Sequence, residues 1–439
     1  MKIVLVHPQN YLHSCKTGIY KYVGGYNPLT MPTLASLVPA DINAEVRIIN
    51  EMVEEADTSL DADLVGITAI AGTAYRAYEI ADEFRRRGIP VVFGGIHATL
   101  MQQEVSFHAD SVVTGFAEQS WPELLRDFIN GGLKKTYYQR HDYVFANNLV
   151  PKKDSVKTNP YMVADTMELT RGCPHSCEFC ILRGFMKGKY YKKPLREAFE
   201  EAKSLNGKCV FFLDANLIGD REYAKEFFSK IVVLKKWWAG CVTSDVAEDE
   251  ALLKIMAESG CKGVLMGFET LCQDVLAGIG KSFNRVRRYK SIVKKLHKYG
   301  IAVHACFVFG FDNDTPEVFR NTLSFVEEAK IDFPQYTLYT PFPGTPAYNK
   351  LLAQGRILTK KWSLYNGQNC VFEPLLMSPQ ELEQGIRAVQ SKTYRLGSAL
   401  KRINQSPLWL WPVLLITNLN YQRYTANIPL VRDYCKSPE

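Results

Sequence analysis

No apolar run in this 439-residue sequence reaches the roughly 18 residues that a membrane-spanning helix needs. The composition also lacks the bias of a disordered or collagen-like chain, because 29 glycines and 21 prolines are near average and follow no short repeat. The net charge of +7 forms no basic stripe of the kind that binds nucleic acid. The apolar start at Met1 is too short for a signal peptide and is typical of a first strand. We therefore expect a cytoplasmic globular protein of roughly two to four domains that binds no nucleic acid.

The cysteines do not suit a disulfide framework. There are 11 of them, an odd number spread over a long chain, whereas disulfide scaffolds are short and evenly paired. Most lie in apolar runs, where a free cysteine behaves as a small hydrophobic residue. Three of them, Cys173, Cys177 and Cys180, are close together in the sequence. This trio is the cysteine group that suggests a metal centre.

The first 135 residues alternate short apolar runs with amphipathic helical patterns. Strands are predicted at 2–7, 45–50, 63–69, 90–94 and 111–114, and a helix is predicted over 73–87. This alternation is typical of a doubly wound parallel sheet. Small residues follow several strand ends, namely Gly72, Gly94, Gly95 and Gly115. They either let the backbone approach a ligand at the carboxyl edge of the sheet or simply form tight turns.

A second alternation follows a predicted connector at 136–165. Strands are predicted at 166–170, 208–213, 238–243, 263–267, 302–309 and 335–340, with helices at 195–204, 221–234, 250–258, 285–299 and 316–329. Repeated strand–helix units over 166–356 predict a curved parallel sheet, which is a partial or complete barrel. Residues 357–439 have mostly helical patterns and contain a Leu- and Trp-rich segment at 407–417.

The cysteine trio forms a CxxxCxxC pattern directly after the predicted strand 166–170, and so lies at a carboxyl end. Three thiolates this close can ligate one metal centre. A 4Fe–4S cluster usually takes four cysteines, so that a trio leaves one iron open to another ligand. Zinc is the alternative, but structural zinc takes four ligands and is usually held by paired CxxC units. His175 lies between two of the cysteines, where chain strain opposes its use as the fourth ligand.

The CxxxCxxC loop resembles the hallmark of the radical S-adenosylmethionine (radical SAM) enzymes, in which it follows the first barrel strand. Further segments are similar to motifs of that superfamily, namely FFLDAN at 211–216, GFET at 267–270, FVFGFDNDT at 307–315 and PFPGTP at 341–346. Together with the N-terminal sheet, they resemble the class of radical SAM enzymes that carries a cobalamin-binding domain. Hopanoid methylases, bacteriochlorophyll methylases and the anaerobic cyclase of chlorophyll synthesis belong to this class. The resemblance covers about residues 1–395.

The resemblance implies an α/β fold with a Rossmann-like cobalamin-binding domain at 1–135, a partial (βα)6 TIM-type barrel at 166–356 and a mostly helical C-terminal region at 357–439. It also implies a 4Fe–4S cluster on Cys173, Cys177 and Cys180, S-adenosylmethionine on the open iron, and cobalamin. An electron donor such as flavodoxin or ferredoxin would reduce the cluster. Cleavage of S-adenosylmethionine then yields a 5′-deoxyadenosyl radical, which removes a hydrogen atom from an unactivated carbon.

The same resemblance implies cosubstrate-binding roles for residues along the barrel, namely Phe179, Asp214, Asn216, Ser244, Glu269 and Gly310. Phe179 would cover the cluster or stack on adenine, with local packing as its alternative. Asp214 and Asn216 would lie near the amino end of the cosubstrate.

Two of these assignments have structural alternatives. Glu269 would bind the ribose hydroxyls, unless it forms an ion pair at the end of the barrel. Ser244 and the neighbouring Asp245 would bind a cation or a hydroxyl group, unless they cap a helix in a capping box with Glu248.

The resemblance also implies cobalamin contacts in the N-terminal domain, at Gly66, Thr68, Gly94, Gly95, His97, Gly115 and Glu118. The sequence departs from many cobalamin modules because it has no Asp-x-His-x-x-Gly triplet, whose histidine ligates cobalt from below. We therefore expect cobalamin to bind without a lower histidine ligand. The alternative for His97 is a histidine in a surface loop.

The segment 407–417 is too short to span a membrane and is interrupted by Pro412. Its basic flanks, Lys401, Arg402 and Arg423, suit an interfacial segment, and a helix that covers the core is the alternative. The interfacial reading places the enzyme peripherally on the inner membrane face. It also favours an apolar small-molecule substrate, such as a polyisoprenoid or a tailed tetrapyrrole.

The function that this pattern favours is a cobalamin-dependent C-methyltransferase. The alternative is an oxidative cyclase or a ring-rearranging radical SAM enzyme that retains the N-terminal domain. Methylthiotransferases are disfavoured, because they have three more cysteines in the N-terminal domain and this chain has only Cys15 there. A non-enzymatic electron carrier or sensor is disfavoured by the full set of cosubstrate motifs.

Overall fold

The computed structural model of the protein describes residues 1–10, 28–139, 145, 150–153 and 164–428. The chain divides into two compact units. The first unit is made by the described residues among Met1–Thr17, Asn27–Met162 and Lys361–Asn366. The second unit is made by the described residues among Val163–Lys360 and Gly367–Glu439. His13, Cys15 and most of the predicted connector lie outside the described residues.

The first unit contains a six-stranded sheet in which every pairing is parallel. Its strands are β1 (Lys2–His7), β2 (Glu45–Asn50), β3 (Leu64–Thr68), β4 (Val91–Gly94), β5 (Ser111–Thr114) and β6 (Thr136–Tyr138), in the order β2-β1-β3-β4-β5-β6. Its helices are α1 (Thr30–Ser36), α2 (Ala74–Arg86), α3 (Gly95–Leu100), α4 (Gln102–Val105) and α5 (Ser120–Ile129). The strand order reverses at β1, and ligands of such sheets bind at this point, outside the carboxyl ends of the strands. The predicted doubly wound sheet is confirmed.

The structure differs from the prediction at the last strand of this sheet. Residues 136–138, which the sequence analysis placed in a connector, pair in parallel with β5. The strand is too short to show an alternation of apolar and polar residues. Its central residue, Tyr137, is buried, and the hydroxyl group donates a 2.9 Å hydrogen bond to Asp127 Oδ2 on α5.

The second unit contains another six-stranded parallel sheet and a small antiparallel ribbon. The strands are β7 (Ala164–Met167), β8 (Thr170–Gly172), β9 (Tyr190–Lys192), β10 (Cys209–Phe212), β11 (Trp237–Cys241), β12 (Cys261–Glu269), β13 (Ala302–Phe309) and β14 (Phe333–Leu338). The large sheet runs in the order β14-β13-β12-β11-β10-β7. Because β7 and β14 are its two edge strands, it is an open, partial barrel, and the predicted (βα)6 architecture is confirmed.

The helices of this unit cover the barrel and then continue the chain. They are α6 (Ile181–Met186), α7 (Leu195–Ser204), α8 (Arg221–Ile231), α9 (Glu250–Glu258), α10 (Gln273–Gly278), α11 (Tyr289–Lys298), α12 (Glu317–Glu328), α13 (Pro346–Ala353), α14 (Pro379–Thr393), α15 (Leu396–Ile403) and α16 (Trp411–Ala426). Between residues 379 and 426 the C-terminal region is mostly helical, as predicted. Before that point the chain is largely irregular, and residues 361–366 belong to the first unit. Across the described ranges, no helix combines the length and the apolar character that crossing a membrane requires.

The predicted first barrel strand is broken. β7 ends at Met167, and residues 170–172 form β8, which pairs in antiparallel fashion with β9. The two strands of this ribbon enclose the cysteine loop and α6. A ribbon of three-residue strands has no periodic signature, which is why the sequence suggests a single continuous strand at 166–170.

Candidate functional site

The three cysteines lie on the loop between β8 and α6. All three side chains are half-buried, and Cys180 is the residue at which α6 begins. Burial raises the pKa of Cys177 to about 11, and it also raises the pKa of Cys180. After burial, the neighbouring cysteines contribute to these shifts: Cys173 and Cys180 raise the pKa of Cys177, and Cys173 raises the pKa of Cys180.

Asp214 holds the base of the cysteine loop. Its side chain is buried, and the carboxylate accepts hydrogen bonds from the backbone N–H of Leu169 at 3.1 Å and from the Thr170 hydroxyl at 2.6 Å. It also accepts the backbone N–H of Thr170. Burial raises the pKa of Asp214 to about 7, against the opposing effect of these hydrogen bonds. The carboxylate therefore fixes the break between β7 and β8, whereas the sequence analysis expected it to face the cosubstrate.

Asn216 lies beside the first cysteine. Its Nδ2 is 3.9 Å from Cys173 Sγ, and its Oδ1 accepts the backbone N–H of Ile218 at 3.3 Å. The Tyr190 hydroxyl on β9 donates to the Asn216 carbonyl at 3.0 Å. Asn216 therefore links the ribbon to the loop, and its amide is positioned to donate to a thiolate.

Glu269 ends β12 in a left-handed conformation with a φ of 63°. Its Oε1 forms a buried ion pair with Lys281 Nζ. This is the arrangement that the sequence analysis kept as the alternative to ribose binding. A side chain at Gly267 would collide with both members of the pair, so the missing Cβ makes room for it.

Ser244 is buried and donates a 2.6 Å hydrogen bond to Asn284 Oδ1. Asp245 pairs with Arg221 at 2.5 Å. Both lie inside a short 3-10 helix, Ser244–Glu248, that has no side-chain cap, and the Glu248 carboxylate pairs with Arg288. The capping-box alternative is therefore wrong.

The other two barrel residues have packing partners. Phe179 is half-buried and makes an edge contact with Tyr339, with 6.4 Å between the ring centroids. Gly310 follows β13 with a φ of 103°, and a Cβ there would lie 2.8 Å from Leu382 Cδ2 on α14. Its backbone N–H donates to Asp314 Oδ2 at 2.9 Å. The structure therefore accounts for Phe179 by local packing and for Gly310 by backbone conformation and close contact.

Two of the predicted cobalamin residues lie on β3. Gly66 is in the middle of the strand, where a Cβ would lie 2.8 Å from Leu5 Cδ2 and 3.4 Å from the Trp121 ring. Packing therefore explains Gly66. Thr68 ends the strand, and its Oγ1 is 2.6 Å from the place that a Cβ on Gly95 would occupy. Gly95 has a φ of 94°, so this turn requires glycine.

The remaining turn residues lie at the ends of β4 and β5. Gly94 ends β4, and a Cβ there would make only an ordinary 3.9 Å contact within its own sheet. Gly115 follows β5 with a φ of 81°, and its backbone N–H donates to Thr99 Oγ1 at 3.0 Å. Glu118 is buried and accepts a 3.4 Å hydrogen bond from Gln139 Nε2. The Glu118 carboxylate therefore has a hydrogen-bond partner within the first unit.

His97 lies in a buried polar cluster at the carboxyl end of β4. It is 1% exposed, so the surface-loop alternative is wrong. The Tyr78 hydroxyl lies 2.9 Å from His97 Nε2 and donates to Glu104 Oε1 at 2.8 Å. Because that hydroxyl has one proton, His97 Nε2 is the donor to Tyr78. The Trp362 indole also donates to Glu104 Oε1, at 2.7 Å.

Several residues of these sites were not predicted from the sequence, above all Tyr78, Glu104, Trp362, Asn284 and Lys281. Trp362 and Glu104 are 258 residues apart in the chain, and no local pattern signals that contact. Lys281 directly follows Gly280 after α10 and looks like an ordinary loop lysine. That Lys281 is buried becomes evident only from the fold, which places it next to Glu269.

The donor sets suit the implied cofactors in both units. Three thiols on one loop, with an amide beside Cys173, match a cluster that takes its ligands from cysteine. No set of three or more His, Cys, Asp or Glu side chains among the described residues is arranged to hold a single metal ion. In the first unit, His7 Nδ1, Asn50 Nδ2 and His97 Nδ1 are buried at the carboxyl edge and have no hydrogen-bond partner among the described residues. These atoms suit a polar ligand at that edge.

Replacing Asp214 with alanine should reduce cluster loading. The variant leaves the buried N–H groups of Leu169 and Thr170 without an acceptor, at a cost of about 1–3 kcal/mol each. We expect the iron that the protein retains after anaerobic reconstitution and desalting to fall several-fold. Glu222→Ala on the exposed side of α8 is the control and should load normally. Full iron content in Asp214→Ala would show that the loop does not depend on this carboxylate.

Comparison with known proteins supports the same assignment. The profile of the Radical SAM superfamily matches residues 167–326, and that of the B12 binding domain matches residues 23–125. The solved structure of the radical S-adenosylmethionine methyltransferase TsrM from Kitasatospora setae, with tryptophan and a SAM analog bound, has a TM-score of 0.67. It is 19% identical and covers 80% of this chain and 76% of that chain, so the likeness shows a shared fold.

Two curated relatives come from Chlorobaculum tepidum. Bacteriochlorophyllide d C-12(1)-methyltransferase is 29% identical over 385 residues, which are 84% of this chain and 83% of that protein. Bacteriochlorophyllide d C-8(2)-methyltransferase is 30% identical over 431 residues, which are 91% of this chain and 92% of that protein. The chain therefore belongs to the radical SAM methyltransferases that carry a cobalamin-binding domain, and its cofactors are a 4Fe–4S cluster, S-adenosylmethionine and cobalamin.

Proposed function

We propose that the protein methylates an unactivated carbon of an apolar small molecule, either a tailed tetrapyrrole or an isoprenoid lipid. The proposal depends on the cysteine loop at the carboxyl end of the barrel. Asp214 anchors this loop through hydrogen bonds from Leu169 and Thr170. The similarity to two bacteriochlorophyllide methyltransferases over most of the chain supports the tetrapyrrole class.

In this proposal Cys173, Cys177 and Cys180 hold the cluster, and Asn216 donates to the Cys173 sulfur. When bound, the cofactors supply the one-electron cleavage of S-adenosylmethionine and the transfer of the methyl group. The protein's own residues position the cluster. The electron comes from a carrier such as flavodoxin or ferredoxin.

Reductive cleavage of S-adenosylmethionine should depend on the cysteine trio. We expect Cys177→Ala to lose 5′-deoxyadenosine formation with dithionite, because Cys173 and Cys180 are already ligands and the loop has no fourth cysteine to replace the missing one. Cys209→Ala, at the start of β10, is the matched control and should retain activity. Undiminished cleavage together with full iron content in Cys177→Ala would refute the assignment of the trio.

Corrinoid binding and label transfer separate a methyltransferase from a cyclase. We expect protein reconstituted with hydroxocobalamin to keep corrinoid absorbance after desalting. With deuteromethyl-labelled S-adenosylmethionine and a bacteriochlorophyllide as the probe substrate, the label should appear in the product. A cyclised product without label would support the oxidative cyclase alternative.

A spectrum of cobalt(II) in the same sample tests whether cobalamin binds without a lower histidine ligand. We expect the cobalt(II) electron paramagnetic resonance spectrum to show no axial histidine nitrogen. An axial nitrogen would contradict this expectation. His97 would then be the residue to replace, because its buried Nδ1 has no partner within the described part of the chain.

A surface on the second unit supports peripheral membrane contact on the cytoplasmic side. Leu408, Trp409, Val413 and Ile416 are 75%, 47%, 61% and 55% exposed. We call these four residues the apolar patch. The Trp409 ring lies 5.1 Å from that of the exposed Trp237, and the ammonium group of Lys262 lies 5.2 Å from the Trp409 ring. Aromatic rings beside lysines suit an interface with anionic lipid.

One residue of the predicted interfacial segment, Trp411, and one of its basic flanks, Arg402, have other roles. Trp411 is half-buried and packs against the core, and its indole donates to the Ser406 carbonyl at 3.1 Å. Arg402 is buried and donates to the carbonyls of Ile331, Asp332 and Thr393, so it offers no charge to a membrane. The core-covering alternative therefore holds for these two residues but not for the apolar patch.

Removing the apolar patch should weaken binding to vesicles. Burial of each large apolar side chain gives about 1.5–3 kcal/mol, so Leu408→Ser with Trp409→Ser should lower partitioning by more than about tenfold. Co-sedimentation with vesicles of phosphatidylglycerol and phosphatidylcholine measures this. Phe107→Ser in the first unit, where the ring is 74% exposed, is the matched control and should partition as the unmodified protein does. Equal partitioning of the double variant would contradict membrane docking through this surface.

A further inference from the structure

The segment that follows α10, residues 279–284, lies directly against the cysteine loop. The backbone N–H of Glu178 donates to the Ile279 carbonyl at 3.0 Å, and Cys177 Sγ lies 4.0 Å from the Gly280 carbonyl oxygen. Gly280 has a φ of 73°, and a Cβ there would lie 3.1 Å from a backbone oxygen of the loop. The position of Lys281, the next residue, is therefore set by backbone contacts with the loop.

Side-chain contacts of Phe283 and Asn284 strengthen this junction. The rings of His175 and Phe283 stack with 3.9 Å between their centroids. The buried Asn284 amide donates to the Gly267 carbonyl at 2.8 Å and to the Tyr289 hydroxyl at 3.0 Å. The loop, the segment 279–284 and the end of β12 are thereby joined, with Lys281 at their centre.

The buried ion pair of Lys281 and Glu269 lies at the junction with the cysteine loop. Lys281 Nζ lies 5.8 Å from the centroid of the Phe283 ring, and that ring stacks on His175 of the loop. The carbonyl oxygen of the preceding residue, Gly280, lies 4.0 Å from Cys177 Sγ. The ammonium group is therefore held in the segment that contacts the cysteine loop.

We infer that Lys281 is a positioning residue that sets the reduction potential of the cluster, an inference that rests on the proposed function of the cysteine trio. Reduction adds one electron from the external carrier, and the cluster becomes more negative by one charge. A fixed buried ammonium beside the loop favours that state, because charge interactions are strong where water is excluded. Glu269 holds the ammonium in place and limits its effect.

Four proteins test this inference by redox titration without S-adenosylmethionine, followed by electron paramagnetic resonance of the reduced cluster. At a fixed ambient potential, Lys281→Met should lower the ratio of reduced to oxidised cluster at least tenfold, which is about 59 mV for one electron. Glu269→Gln should raise the ratio, because the ammonium then has no counter-charge. The double variant should lie between Lys281→Met and the unmodified protein.

Two further variants separate charge from structure. Lys281→Arg keeps the charge and should restore the ratio to near that of the unmodified protein. Lys189→Met removes an exposed charge near the ribbon and should leave the ratio unchanged, because water and salt screen it. Iron content and far-ultraviolet circular dichroism confirm that each variant is folded and loaded.

The outcomes distinguish the inference from the proposed function. If Lys281→Met loads its cluster and titrates as the unmodified protein does, the inference is overturned while the cluster assignment stands. If Lys281→Arg shifts as far as Lys281→Met, the pair has a structural role only. If the unmodified protein holds no cluster, both the proposed function and the inference fail.

Discussion

The buried Asp214 carboxylate is the constraint on which the geometry of the cysteine loop depends. Once β7 ends at Met167, the backbone N–H groups of Leu169 and Thr170 need an acceptor, since buried donors are costly when unpaired. Asp214 supplies it from the end of β10, and the chain can then turn into the ribbon that encloses the loop. Asp214, which the resemblance assigns to cosubstrate binding, thus accepts hydrogen bonds from the protein's own backbone.

Both sheets concentrate their chemistry at their carboxyl ends, as open parallel sheets do. In the second unit this edge carries the cysteine loop. In the first unit it carries buried nitrogen atoms on His7, Asn50 and His97 that have no hydrogen-bond partner within the described ranges. The glycines there do not share one role, because Gly95 is required by its backbone conformation whereas Gly66 is required by the packing of the sheet interior.

The buried charges of Glu269 and Lys281 in the barrel are paired. A buried ion pair gains little net stability, because removing two charges from water offsets their attraction. The pair of Glu269 and Lys281 is therefore better understood through its position beside Cys177 than through any contribution to folding. The backbone contacts of the segment 279–284 hold Lys281 next to the cysteine loop.

The sequence by itself determined the two alternations of strands and helices, the cysteine trio and the polar residues that end the barrel strands, because these depend on local period and spacing. It did not determine which of those residues face a ligand. Asp214, Glu269 and Glu118 each have partners within the protein, and only packing reveals them. The break between β7 and β8, the buried Lys281 and the contact of Trp362 with Glu104 across 258 residues were decided by tertiary structure alone. Such contacts join distant segments, and neither partner carries a signal in its own neighbourhood.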